Sequence, residues 1–281
     1  MKHLSLEVVL GIVALAHLAS RAMEVTLPIE WYVVVPLATW SLYTLDRLYD
    51  VRNSASTPDT SRHSFHYRHR RILTLTAFLC GLIAATIAAF AFPAWYWLVA
   101  VGLGILLLAH AAVQNLQSTP AAILKDVNVA VTFTAAAWVI PAIIRLQDGT
   151  FINAGLHLHS IMHSIIVFIA LMSLVMADVV LLSRLDVSAD DRAGLPSIAL
   201  VLGTTKSTIL IGVLLIVAAI LSGLLWVESG PIDVFINGHV RPAAILLAMS
   251  VCYAVLSIKA PRNPDHARLL FEGTLLLGFL A

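Results

Sequence analysis

Charge is scarce in this chain. Asp, Glu, Lys and Arg make up 12% of its 281 residues, against about 25% in an ordinary soluble domain. Together with 60% hydrophobic residues and a mean hydropathy of +0.92, that shortage excludes a soluble globular protein. An excess of either sign is missing too: 17 Lys and Arg stand against 16 Asp and Glu. The net charge therefore gives no footing for nucleic acid, and no nucleic-acid partner is expected. Cysteine is nearly absent. Cys80 and Cys252 lie far apart inside apolar runs, which argues against a disulfide framework or a cysteine metal site and leaves two buried, inert thiols as the expectation. Low-complexity segments and flexible linkers are also missing.

What fills the chain is long apolar sequence. Windows fall at about 5–21, 28–46, 72–92, 94–114, 122–144, 161–183, 206–227, 240–258 and 267–281. A membrane-spanning helix needs about 20 mostly apolar residues, so nine spans take roughly 180 residues and leave roughly 100 for connections. No large soluble domain fits beside them. The windows are too long for barrel strands and do not alternate with period two, so they are predicted as helices that satisfy their own backbone hydrogen bonds. The N-terminal run, Met1-Lys2-His3 and then apolar to Ala19, resembles a weak signal peptide, but Glu7 interrupts it and another span follows. A retained first helix is expected. The fold expectation is an all-α polytopic membrane protein, with residues 1–281 as one integral membrane domain of about nine transmembrane helices.

With the N-terminus in the cytoplasm, the basic residues sort by side. Lys2, Arg47, Arg52, Arg62, Arg68, Arg70, Arg71, Lys125, Arg184, Arg192, Lys206, Lys259, Arg262 and Arg268 fall inside; Arg21, Arg145 and Arg241 fall outside. That asymmetry, 14 of 17, follows the positive-inside rule and supports both orientation and helix count. The localisation expected is the cell's inner (plasma) membrane, with the functional face toward the cytoplasm.

That face carries a repeated device. The second window ends in Asp46-Arg47-Leu48-Tyr49-Asp50 and the sixth in Asp186-Val187-Ser188-Ala189-Asp190. On a helix, residues i and i+4 share one face with their Cβ atoms about 6 Å apart, so each segment forms a carboxylate pair. Ionisable groups at the edge of an apolar bundle cost about 2.5–3.5 kcal/mol each, and four of them on one face point to a function that offsets the cost. Mg²⁺ suits them: it is hard, prefers oxygen, and is commonly held by one or two carboxylates plus substrate phosphate oxygens. Two such pairs around a diphosphate would neutralise it as a leaving group and promote C–O cleavage. Lys125 at the cytoplasmic end of the fifth window, and then Arg62, are the candidate phosphate-binding cations. Asp178, two helical turns before Asp186 and deeper in the bilayer, is a candidate pocket residue. Asp126 and Asp191 are expected to be solvated or locally paired.

These residues resemble the UbiA superfamily of intramembrane prenyltransferases, proteins of nine transmembrane helices with two Asp-rich motifs, on the second and sixth helices, that bind Mg²⁺ and a prenyl diphosphate. Asp46 to Asp50 is similar to the end of the first motif. Asp186 to Ser197, with Asp190, Asp191, Arg192 and Gly194 and closing on Leu202-Gly203, is similar to the second. Lys125 with Asn128 and Pro141 is similar to the family's fifth helix, where a basic residue meets the diphosphate. The likeness covers nearly the whole chain in helix order. Three positions depart from it: Leu42 and Tyr43 stand where the family has Asn-Asp, and Ser183 stands at the leading Asp of the second motif. The resemblance implies a UbiA-type bundle and a Mg²⁺-dependent enzyme that ionises an isoprenyl diphosphate and transfers the prenyl group to a lipophilic acceptor, commonly aromatic. It implies Asp46, Asp50, Asp186 and Asp190 as metal-binding and catalytic residues, and Lys125, Arg62, Asn128 and Asp178 around the substrate. The altered first motif leaves two alternatives: a terpene cyclase of this type acting on the diphosphate alone, and a non-catalytic lipid-binding or transport protein.

The remaining polar residues read more plainly. His63, His66 and His69 lie in a basic loop, Ser61 to Arg71, expected to contact headgroups or close over the diphosphate. His157, His159 and His163 fall on the opposite side by the charge count, so the two sets share no centre. His110, Gln114 and Asn115 are read as cavity lining or helix packing. Trp138 is a candidate to face a carbocation, since an aromatic face attracts cations; Trp31, Trp40, Trp95, Trp97 and Trp226 read as interfacial or packing residues.

Overall fold

The structure, a computed structural model, describes residues 6–53, 61–114, 118–147, 154–193, 197–228, 242–258 and 264–281. Among these there are ten α-helices, one terminal 3₁₀ turn and no strand: α1 (Leu6–Ala22), α2 (Trp31–Asn53), α3 (Ser61–Arg68), α4 (Arg70–Ala91), α5 (Tyr96–Gln114), α6 (Thr119–Gln147), α7 (Ala154–Ala193), α8 (Ile198–Glu228), α9 (Pro242–Ile258), α10 (Pro264–Leu275) and the turn Leu276–Leu280. Proline opens α9 and α10, where its missing N–H is no loss and its fixed φ suits a helix start. Each apolar window of the sequence falls on one of these helices.

Five helical segments are long and apolar enough to cross a membrane: Arg70–Ala91, Tyr96–Val113, Thr119–Gln147, Ile161–Ser188 and Ile198–Trp226. The other windows lie on shorter or more polar helices. The apolar helix α9 has 17 residues, and α2 spends the second half of its 23 residues on polar sequence. An all-helical membrane protein is what these lengths and compositions support.

The core forms around α1 and α7. Leu15, Leu18, Leu171 and Leu174 are fully buried, as are Trp31, Ile211, Met249 and Phe271 on neighbouring helices. The α7 helix packs most extensively on α8, and α2 on α4. By contrast, α4 and α5 turn Phe78, Leu82, Phe90, Leu98 and Leu108 outward; apolar side chains so exposed on helices of spanning length are a lipid-facing surface. Small residues permit close approach. Gly278 in the terminal turn meets the Ala14 backbone so closely that a Cβ would lie 2.5 Å from its carbonyl oxygen, and Ser41 of α2 donates to the Ala77 carbonyl of α4 at 2.8 Å.

Three sequence expectations change here. The basic stretch after α2, read as a loop, contains helix α3, with His66 only 2% exposed. The cysteines are free, as expected, but half-buried rather than buried, because α4 and α9 turn part of those faces outward. Trp138 donates its indole N–H to the Ser164 carbonyl at 3.0 Å and packs on Phe168, ring centroids 5.0 Å apart. It joins α6 to α7 at a point about 20 Å along α6 from Lys125, so its indole is engaged in packing those two helices together.

Candidate functional site

The two acid-bearing segments emerge at the same end of the bundle. Asp46 lies on the last turns of α2, where His110 from the end of α5 approaches it, Nε2 to Oδ1, at 3.6 Å. His110 also lies within the electrostatic neighbourhood of Asp126 on α6. Asp186 and Asp190 lie on the last turns of α7. Asp186 is paired with Arg268 of α10, whose Nη2 donates to Oδ2. Arg268 in turn lies near Tyr43 and Arg47 of α2, and Arg47 is held over the Tyr43 ring, 4.8 Å from its centroid, while donating to the Tyr43 hydroxyl at 2.6 Å. So α2 and α7, far apart in sequence, are linked at one end through His110 and Asp126 on one side and through Arg268 on the other.

Asp190 sits where these charges meet. Burial and then the neighbouring Asp186 push its carboxyl up to about 6, against the pull of Lys125 and Ser197, with Asp126 adding to the rise. Lys125 is thus the cation shared by Asp126 and Asp190, the position the sequence assigned to it. Asn128, one turn on, accepts from the Thr132 hydroxyl at 3.3 Å. The side chains of Asp50 and Arg62 lie outside the described residues, as do those of His63, His157 and His159 and the residue Gly194.

Asp126 is the clearest revision. Expected to be solvated or locally paired, it is 7% exposed and its Oδ2 accepts the Ile198 N–H at 2.8 Å. Ser183 Oγ accepts the next amide, Ala199 N–H, at 3.2 Å. The first amides of a helix have no partner within it, so α8 is capped from outside, by one residue each from α6 and α7. Ser183 therefore has a structural use at the start of α8. Asp191 is exposed, in line with the expectation of a solvated residue.

Asp178 does lie deeper, 6% exposed, with Oδ1 lacking a hydrogen-bond partner. The buried Tyr253 hydroxyl of α9 stands beside it, short of a well-formed hydrogen bond, and Arg268 is within electrostatic reach. Glu272, one turn beyond Arg268 and 3% exposed, completes a polar group inside the bundle.

Among the described residues, the opposite end holds no counterpart. There Arg145 approaches Glu24 at 3.8 Å, Arg21 donates to the Ala281 carbonyl at 3.2 Å, and His163 contacts the Ala22 carbonyl at 2.9 Å. This places His163 away from His66 and His69. Among the described residues, no three His, Cys, Asp or Glu side chains group closely enough to hold a metal by themselves. A hard divalent cation that keeps waters and takes phosphate oxygens needs only one or two carboxylates, which the paired acids supply.

Two site residues escaped the sequence reading. Arg268 enters the sequence analysis only as one of the inside charges. His110 was read as lining or packing. No family model, curated protein or solved structure matches this chain.

Proposed function

We propose that the protein is an intramembrane, Mg²⁺-dependent prenyltransferase of UbiA type. In this reading α1, α2, α9 and α10 join the five long apolar helices to make nine crossings, the acidic end faces the cytoplasm, and the membrane is the cell's inner (plasma) membrane. The observation that supports it is the convergence of Asp46 and Asp186 at one end of an apolar bundle, with Lys125, His110 and Arg268 between and around them. Asp46, Asp50, Asp186 and Asp190 would hold the metal. Mg²⁺ supplies charge neutralisation of the diphosphate as it departs.

The chain's own residues then divide the remaining work. Lys125 offers a compact cation to phosphate oxygens, with Asn128 one turn further along the same helix and Arg62 on α3 as a second cation. His110 restricts the Asp46 carboxylate. Asp178 lies on the path inward, where the apolar helices accept the prenyl chain and exclude water that would quench an allylic cation. The prenyl group passes to a lipophilic, aromatic acceptor drawn from the membrane.

Purified protein in lipid nanodiscs, given Mg²⁺ and radiolabelled prenyl diphosphates of several lengths, with and without lipophilic phenols, tests the reading. The expected outcome is diphosphate release with acceptor-dependent product, lost in Asp186→Ala. Product formed from the diphosphate alone would identify a cyclase instead. Intact diphosphate under every condition, or full turnover in Asp186→Ala, overturns the assignment and leaves a lipid-binding or transport protein.

A further inference from the structure

Asp186 already has a cation. Arg268 reaches from α10 to its Oδ2, and a guanidinium keeps its charge at any physiological pH. A divalent cation binding at that carboxylate competes with the guanidinium, since the two draw on the same negative charge and repel one another. Two turns earlier on α7, about 12 Å along the axis, Asp178 presents a buried carboxylate oxygen that makes no well-formed hydrogen bond, although the Tyr253 hydroxyl stands beside it. Such an oxygen is costly in a protein interior and is satisfied by any donor that can reach it. Arg268 is bonded to one of the two acids and within electrostatic reach of the other. Its long side chain has the rotamer freedom to change partners while α10 stays in place.

We propose that Arg268 is a resident counter-ion that occupies Asp186 in the free protein and competes there with the metal, with Asp178 as its alternative partner. This rests on the metal-binding reading above and adds a positioning residue to it. The arrangement keeps a carboxylate at the bundle edge neutralised between turnovers, and it sets metal affinity through competition. The metal-free state is stabilised by Arg268–Asp186. The metal-bound state would be stabilised by Arg268–Asp178.

The test is Mn²⁺ binding to the full-length protein in nanodiscs, read by electron paramagnetic resonance with no substrate present, and repeated with inorganic diphosphate. Arg268→Gln should bind Mn²⁺ about tenfold more tightly than wild type, the lower end of what one neighbouring charge does to a carboxylate's cation affinity. Arg268→Lys, which keeps a cation, should stay near wild type. Asp178→Asn should weaken Mn²⁺ binding several-fold in the wild-type background and leave it unchanged in the Arg268→Gln background, because the effect passes through Arg268. Unfolding curves for each variant identify any that fail to fold, and the Lys variant together with Asp178→Asn carries the test if Arg268→Gln does. If wild type binds Mn²⁺ but Arg268→Gln binds it no better, the competition is refuted and the metal site stands. Equal effects of Asp178→Asn in both backgrounds refute the alternative partner. No Mn²⁺ bound by any form, with or without diphosphate, removes both this inference and the prenyltransferase reading.

Discussion

Replacing Asp126 with Ala should loosen the start of α8 while leaving the rest of the bundle folded. Ser197 takes the N-cap position, its carbonyl accepting the Val201 N–H at 3.1 Å, yet its side chain makes no capping bond. The orphan amides of Ile198 and Ala199 go instead to Asp126 and Ser183. An N-cap oxygen is worth about 1 kcal/mol, an anion near a partly buried helix N-terminus up to about 2 kcal/mol, and a hydrogen bond to a charged group about 1.5–3 kcal/mol. These overlap, so the loss in Asp126→Ala should be about 2–3 kcal/mol rather than their sum. Asp126→Asn keeps an acceptor but not the charge and should lose about 1 kcal/mol, as should Ser183→Ala. Hydrogen exchange resolved to the 197–203 segment reads this directly, because every 1.4 kcal/mol is a factor of ten in the opening equilibrium. Exchange should accelerate roughly 30- to 150-fold in Asp126→Ala and several-fold in the other two, with segments of α4 unchanged. Equal exchange in wild type and Asp126→Ala, or equal losses for Ala and Asn, would show that the carboxylate does not hold the helix start.

Two further outcomes follow from the same structure. The Asp190 carboxyl is raised to about 6 in the folded protein, above its usual range near 4, so the native state binds the proton more tightly than the unfolded chain. The penalty for ionising it is absent below about pH 4, grows between pH 4 and 6, and is complete above. Without divalent cations, stability should therefore fall by about 1–2 kcal/mol as pH rises from 4 to 7, after allowance for solvent screening. Asp190→Asn should lack this component; parallel pH profiles for both proteins would exclude it. At the close contact between α1 and the terminal turn, Gly278→Ala would press a Cβ into the Ala14 backbone, whereas at Gly11 the nearest atom is the movable Leu275 Cδ1, 3.1 Å away. Gly278→Ala should cost about 1–3 kcal/mol and Gly11→Ala almost nothing, since alanine's helix propensity, about 1 kcal/mol better than glycine's, offsets mild crowding. Detergent melting curves in the reverse order would refute the assignment of that contact.

Helical periodicity and hydropathy reveal which residues share a face and which segments leave water, and both are local properties. They place Asp186 beside Asp190, assign Lys125 to the acidic end, and locate every described apolar helix. They carry no information on which helices become neighbours. Asp126 is therefore expected to be solvated or locally paired, although its bond is to Ile198, on another helix. Arg268 likewise bonds Asp186 on a different helix, and nothing in their spacing along the chain points to that pairing. His110 lies alone on an apolar helix, and its contact with Asp46 exists because α5 and α2 end at the same level. Each of these residues contributes one group from one helix, so spacing along the chain has nothing to register. Ser183 makes the point from the other side. Compared with an acidic motif it counts as a missing ligand, but in the fold it is an acceptor spent on an amide of α8. That bond helps fix the start of the helix adjoining Asp190, a use of Ser183 that shows only once the neighbouring backbone is known.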